Sequence, residues 1–236
     1  MPGNISGLCP PVFAMPAAHA SPAPPVRAAD VTARHDGLLG AAGWPQQAGA
    51  EAASPLWHWI EANHRQNALL WAQEDLARRT TVADAEIAAN KRAIDGHNQA
   101  RNDAIERIDE LLLLALGLVD EASARSDAPR STVQAGARLN SETAGSMIDR
   151  LSILSLKLRA MQQQAERRDV DDTHRAASRA RHARLQEQRG DLAACLDALL
   201  ADALAGRACF KVYRQFKMYN DARFNPALVA EARSRG

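Results

Sequence analysis

From Ser54 onward, apolar and polar residues follow one another with the period of an α-helix, almost without a break. The first predicted helix runs from Pro55 to about Arg79, with Ser54 as N-cap and proline at the first helical position. Its inward stripe reads Ile60, His64, Asn67, Trp71, Glu74 and Arg78, in steps of four and three. A second helix begins near Thr81 or Asp84 and extends to about Val119, with Ile94, Ile105, Ile108 and Leu112 as its apolar positions. Pro129 then breaks the chain in a polar loop. A third helix lies in Leu139–Arg168. A fourth covers about Asp172–Ala205, with Leu185, Leu192, Leu196, Leu199 and Leu204 inward and Gly206 as C-cap. The stretch from Cys209 to Pro226 reads as a short helix or ordered coil. No strand pattern and no internal repeat stand out. Four long helices with short connections predict an all-α fold, an antiparallel bundle of about four long helices plus a short C-terminal helical segment. Eight of the ten aromatic residues fall in two segments, Trp57–Trp71 and Phe210–Phe224, so the C-terminal segment is expected to pack across the first helix.

Composition divides the chain near Ser54. Nine of the 11 prolines lie within residues 1–55, among alanine and glycine. Residues 1–53 are therefore expected to be a disordered Pro/Ala-rich tail, with the helical bundle domain in 54–236. A formal net charge of +1 supplies no long-range attraction to nucleic acid or an anionic membrane. The arginines between Arg167 and Arg189 alternate with acids and histidines and read as a solvated face. Cys9, Cys195 and Cys209 form no CxxC and leave an odd count, which suits free thiols in a reducing compartment. No apolar run is long enough to span a membrane. The first 20 residues lack the basic start and unbroken apolar core of a signal peptide, so a cytoplasmic location is expected.

Two polar stripes stand where a bundle wants apolar side chains. One comprises His64, Asn67, Glu74 and Asp75; the other runs through Asp95, Asn98, Asn102, Glu106 and Asp109. If they face each other, carboxylates and amides converge between helices, and such hard oxygen donors suit magnesium or manganese. The competing reading is an inter-helix network of salt bridges and amide hydrogen bonds involving Lys91, Arg92 and Arg101. Asparagines at successive turns are poor helix formers and need a reason to be there. In the third helix, Asn140, Ser141, Glu142 and Thr143 can cap the N-terminus. Gly145 lets another group approach the first turn, and free N–H groups there with Arg150 could hold a phosphate or carboxylate. Asp149 and Arg150 are charged residues in an otherwise apolar helix, and buried polar groups require partners or a ligand. Gln215, Lys217, Tyr219, Asn220 and Asp221 mix aromatic, amide and charged groups as cleft linings do, or form a lid over the aromatic cluster. There is no G-x-S-x-G, P-loop or G-x-G-x-x-G.

Five segments carry a resemblance: Leu70–Arg78, Lys91–Asp103, Leu139–Leu158, Gln188–Asp202 and Lys211–Pro226. In order and over most of residues 56–226, they resemble the bacterial domain-of-unknown-function family 4254. Family members typically carry proline where this chain has Ala144 and Ala222. The resemblance implies a link to cell-envelope glycans, because genes of the family often neighbour lipopolysaccharide glycosyltransferases, and it carries no catalytic residues over. Glu74-Asp75 with Glu106-x-x-Asp109 also looks somewhat like the all-α nucleoside triphosphate pyrophosphohydrolases, with Arg78 in place of a third acid. That likeness implies magnesium on Glu74, Asp75, Glu106 and Asp109.

These readings combine into one expectation: a helical protein that binds or processes a phosphorylated or nucleotide-linked small molecule in cell-envelope glycan metabolism. Arg150 and Lys217 would hold its anionic groups. His64, Asn67, Asn98, Asn102, Ser141, Thr143, Gly145, Asp149, Tyr219 and Asn220 would complete the binding surface. Glu74, Asp95 and Glu106 would serve as acid and base. The alternatives are a magnesium-dependent nucleotide pyrophosphohydrolase and a non-catalytic helical adaptor for envelope-glycan enzymes.

Overall fold

The structure is a computed structural model that describes residues 23–47, 52–133, 135–215 and 221–234. It is all-α. Six helices, α1 (Ala28–Gly40), α2 (Pro55–Leu76), α3 (Asp84–Ala115), α4 (Ala144–Glu166), α5 (Asp172–Leu204) and α6 (Pro226–Ser234), account for nearly all the regular structure. The four long helices match the sequence periodicity, and their punctuation is as predicted. Ser54 caps α2 by accepting from the Trp57 amide, with Pro55 at the first helical position. Thr143 caps α4 through the Ser146 amide, and Gly206 ends α5 at φ +70°.

Side-chain pairings give the helix directions. Gln66 and His97 are hydrogen-bonded at 2.8 Å, and Arg107 stacks over Trp59, so α2 and α3 run antiparallel. Asp109 meets Gly145 while Arg101 meets Asp149, which sets α4 antiparallel to α3. Helices α2, α3 and α4 pack mutually, and α5 packs on α4. Ile60, Ile108, Leu112, Ile148, Leu151, Leu196 and Leu200 are fully buried where these faces meet. Seven such side chains, each contributing roughly 1.5–3 kcal/mol on burial, make this seam the main source of stability.

Three features depart from the sequence reading. Residues 28–40, expected to lie in a disordered tail, form α1, which packs on α4, α5 and α2. Ala28, Val31, His35 and Leu38 recur at helical spacing and are all buried. Further bonds fix it in place: Asp197 accepts from the Ala28 amide at 2.8 Å, Arg34 donates to Glu61, and Arg189 pairs with Asp36. The stripe survives the alanine- and proline-rich composition because alanine both packs closely and favours helix. Residues 1–22 lie outside the described residues.

Second, a two-residue parallel pairing joins β1 (Arg138–Leu139) to β2 (Ala208–Cys209), where no strand was expected. It ties the chain leaving α5 to the chain entering α4. Third, residues 210–215 dock on α3 rather than crossing α2. Arg214 bridges Glu106 and Glu110 at 3.0 and 2.6 Å, and Phe210 is buried beside Leu113 and Val119. Tyr213 and Phe224 are exposed, so among the described residues the C-terminal rings do not gather in one cluster with those of α2.

Candidate functional site

Helix α4 has two chemically different faces, and both matter for a site. Its inward face carries Asp149 and Ser152 into a buried polar network with α2. Asp149 Oδ1 accepts from Asn63 Nδ2 at 2.8 Å and from Asn67 Nδ2 at 2.9 Å. A carboxylate oxygen only accepts here, so both amide nitrogens must face it. Asn67 Nδ2 also donates to Ser152 Oγ at 3.0 Å, and Ser152 Oγ shares a 2.8 Å hydrogen bond with His64 Nδ1. Arg101 of α3 approaches the same Asp149 oxygen at 3.7 Å from the rim.

Beyond His64 the network meets α1. The His35 and His64 rings stack at 4.4 Å, and Trp44 stacks on His64 at 5.7 Å. Both His35 nitrogens, His64 Nε2 and Trp44 Nε1 are buried without a hydrogen-bond partner of normal geometry among the described residues. Burial therefore pulls the His64 pKa from 6.5 to about 4, offset in part by the His35 backbone and the Asp36 carboxylate. Burial likewise holds His35 well below its ordinary value, with His64 and Arg189 adding to the effect. Both rings are neutral at physiological pH.

A second polar junction sits at the N-terminus of α4. The Gly145 amide donates to Asp109 Oδ1 at 2.6 Å. A Cβ at position 145 would lie 2.7 Å from the Ile105 carbonyl oxygen and 2.8 Å from Asp109 Oδ1, so only glycine permits this approach. The open helix end expected to receive an external anion is thus met by a side chain of α3. Burial raises the Asp109 pKa from 3.8 to about 7, against the pull of the Thr143 hydroxyl and Gly145 amide, and Glu106 and Glu110 push it further up.

The outward face of α4 forms a groove with α5. Met147, Ile153, Leu154 and Leu192 line it, with Glu142, Arg150, Lys157, Gln188 and Asp191 as its polar members, around a cavity of about 700 Å³. Arg150 is exposed and donates to Glu142 at 2.6 Å, while Lys157 has no acidic partner among the described residues.

The predicted site residues divide accordingly. The structure brings His64, Asn67 and Asp149 together, and gathers Thr143, Gly145 and Asp109 at the α4 N-terminus. Asn98 and Asn102 are half-buried on α3 and form no side-chain hydrogen bond among the described residues. Ser141 is exposed. Arg150 turns away from the Asp149 network into the groove, because adjacent residues on a helix stand about 100° apart. The carboxylates expected to act together do not meet. Glu74 pairs with Arg78, Asp95 with Lys91, and Glu106 with Arg214; Asp75 is exposed. Glu74 lies C-terminal to Gln66 on α2 and Glu106 lies C-terminal to His97 on the antiparallel α3. Those two carboxylates are therefore about 25 Å apart along the bundle. Antiparallel neighbours separate residues that both come late in their helices. Among the described residues no three His, Cys, Asp or Glu side chains form a group able to hold a metal ion. Lys217, Tyr219 and Asn220 lie outside the described residues.

Sequence reasoning missed Asn63, His35 and Trp44 as network members, while Arg101, named in the competing reading as part of an inter-helix network, pairs with Asp149. For Asn63 the signal was present, since Asn63 and Asn67 are one turn apart and face one side. His35 and Trp44 were hidden by the composition of the segment that holds them.

A helical bundle with a buried amide–carboxylate–histidine network and a flanking helix–helix groove defines a class of small all-α proteins in which polar side chains are built between helices. The family described as Protein of unknown function (DUF4254) matches residues 57–212, and this chain belongs to it. No curated protein and no solved structure matches the chain. No helix among the described residues is long and apolar enough to cross a membrane.

Proposed function

We propose that this protein binds a phosphorylated or nucleotide-linked small molecule in the groove between α4 and α5. One observation carries the reading: a cavity of about 700 Å³ in which Arg150 and Lys157, two turns apart on one face of α4, stand beside an apolar lining. That volume lies in the range of ligand sites, and the combination of apolar wall and few polar groups is their usual make-up. Arg150 offers a planar fork of donors suited to a phosphate, and Lys157 a mobile charge. Gln188 and Asp191 across the groove supply an amide and a carboxylate for hydroxyl groups. The family resemblance supports activated sugars of cell-envelope glycan metabolism as the ligand class. The scattered carboxylates favour binding over acid–base catalysis in this groove.

Calorimetric titration with sugar phosphates and nucleotide sugars tests the reading, using the parent and an Arg150→Ala, Lys157→Ala double variant. The expected result is binding by the parent and at least a tenfold loss in the variant. Equal affinity in both, or no binding to any member of the panel, overturns it.

A further inference from the structure

Below Lys157 the groove continues into a second, smaller hollow of about 330 Å³ where α2 joins α4 and α5. Trp71, Ala160, Met161 and Leu185 give it an apolar lining. Three cations stand around them: Lys157 from α4, and Arg181 and Arg184 from α5. Lys157 and Arg181 have no acidic partner among the described residues, and Arg184 has only Glu187 at 3.5 Å on its own helix.

We propose that this hollow is an apolar subsite for a hydrocarbon tail, so that the ligand is an amphiphilic phosphate ester whose phosphate sits among Lys157, Arg181 and Arg184. The inference rests on the groove reading for the phosphate and adds the chemistry of the rest of the molecule. Two features favour such an occupant. Alkyl carbon gains by leaving water for the Trp71, Met161 and Leu185 surface, which offers a nucleobase or a sugar no acceptor and no donor other than the Trp71 indole N–H. Three cations around one apolar patch repel each other in the free protein, and a phosphate between them relieves that repulsion. Lys157 also lines the larger groove, so a phosphate held there stands at the junction of the two spaces. A sugar or other polar group could then extend toward Arg150 while the tail occupies the Trp71 hollow.

The test is a chain-length series on the parent protein, with inorganic phosphate followed by butyl, hexyl and octyl phosphate, and octyl glucoside as the uncharged control. Affinity should rise about fourfold for each added methylene until the hollow is full. Octyl phosphate should bind at least tenfold more tightly than octyl glucoside. Ala160→Phe, which fills the hollow, should abolish the length dependence and leave inorganic phosphate binding unchanged. Arg181→Ala with Arg184→Ala should weaken every phosphate in the series. A flat length series, or octyl glucoside binding as well as octyl phosphate, overturns the subsite without requiring any variant to fold. A flat series together with Arg150-dependent nucleotide-sugar binding removes the apolar subsite alone. Loss of all phosphate binding, with or without a tail, removes both readings.

Discussion

Replacing Asp109 by asparagine should stabilise the protein at neutral and alkaline pH and change little near pH 4. The Asp109 carboxyl is buried against α4, and its pKa rises from 3.8 to about 7 on folding. A carboxyl raised in this way holds its proton more tightly in the folded chain. As pH climbs past 3.8 the unfolded chain releases that proton first, so stability falls by about 1.4 kcal/mol per pH unit. The fall stops near pH 7, where the folded carboxyl also ionises. Over about three units the cumulative penalty is on the order of 4 kcal/mol, a ceiling because the surroundings relax around a buried charge. Asparagine stays neutral throughout and keeps an oxygen for the Gly145 amide, so D109N escapes the penalty. Urea unfolding of parent and variant at pH 5, 6, 7 and 8 reads the difference directly. The stability gap should widen with pH and level off above pH 7. A gap that stays constant with pH, or a variant less stable than the parent at pH 8, refutes the reasoning.

The histidine pair should impose the opposite trend on the acid side. His64 is a base whose folded pKa is depressed from 6.5 to about 4, so its contribution is intact above pH 6.5 and declines as pH falls toward 4, by about 3 kcal/mol. His35 shifts in the same direction, and D109N isolates this limb because it removes the opposing carboxyl. Proton NMR at pH 5 should show both imidazoles neutral in the folded protein; a protonated signal for either sinks the account. Gly145→Ala should destabilise by about 1–3 kcal/mol, since the new Cβ would press on the Ile105 carbonyl and Asp109. Unfolding that matches the parent would show that α3 and α4 do not meet as closely as described.

The long helices were legible in the sequence because their signals are local. A serine before a proline, a threonine before an apolar run and a glycine after one each fix a boundary through bonds within a few residues. His64, Asn67 and Asp149 were legible as misplaced polar residues, and the structure supplies the partner each lacked in sequence. What escaped was relational. Periodicity places Glu74 and Glu106 on helix faces, yet it carries no information on how two antiparallel helices are offset, and the offset separates them. Asp149 and Arg150 look like a pair in sequence, but one points into the network and the other into the groove. Helix α1 escaped for another reason: its stripe of alanine, valine, histidine and leucine has too little apolar area to stand out from a proline-rich neighbourhood.

That helix also sets an order of events during synthesis. The Ala28 amide is held by Asp197, 169 residues further along the chain, and Asp36 is held by Arg189. When α1 leaves the ribosome, its binding surfaces on α4 and α5 do not yet exist. At about 5–20 residues per second, it waits on the order of ten to thirty seconds for Asp197 to follow. A 13-residue helix is marginal by itself in water. The nascent segment therefore passes that interval without its partners on α4 and α5. Docking of α1 is thus tied to the synthesis of α5.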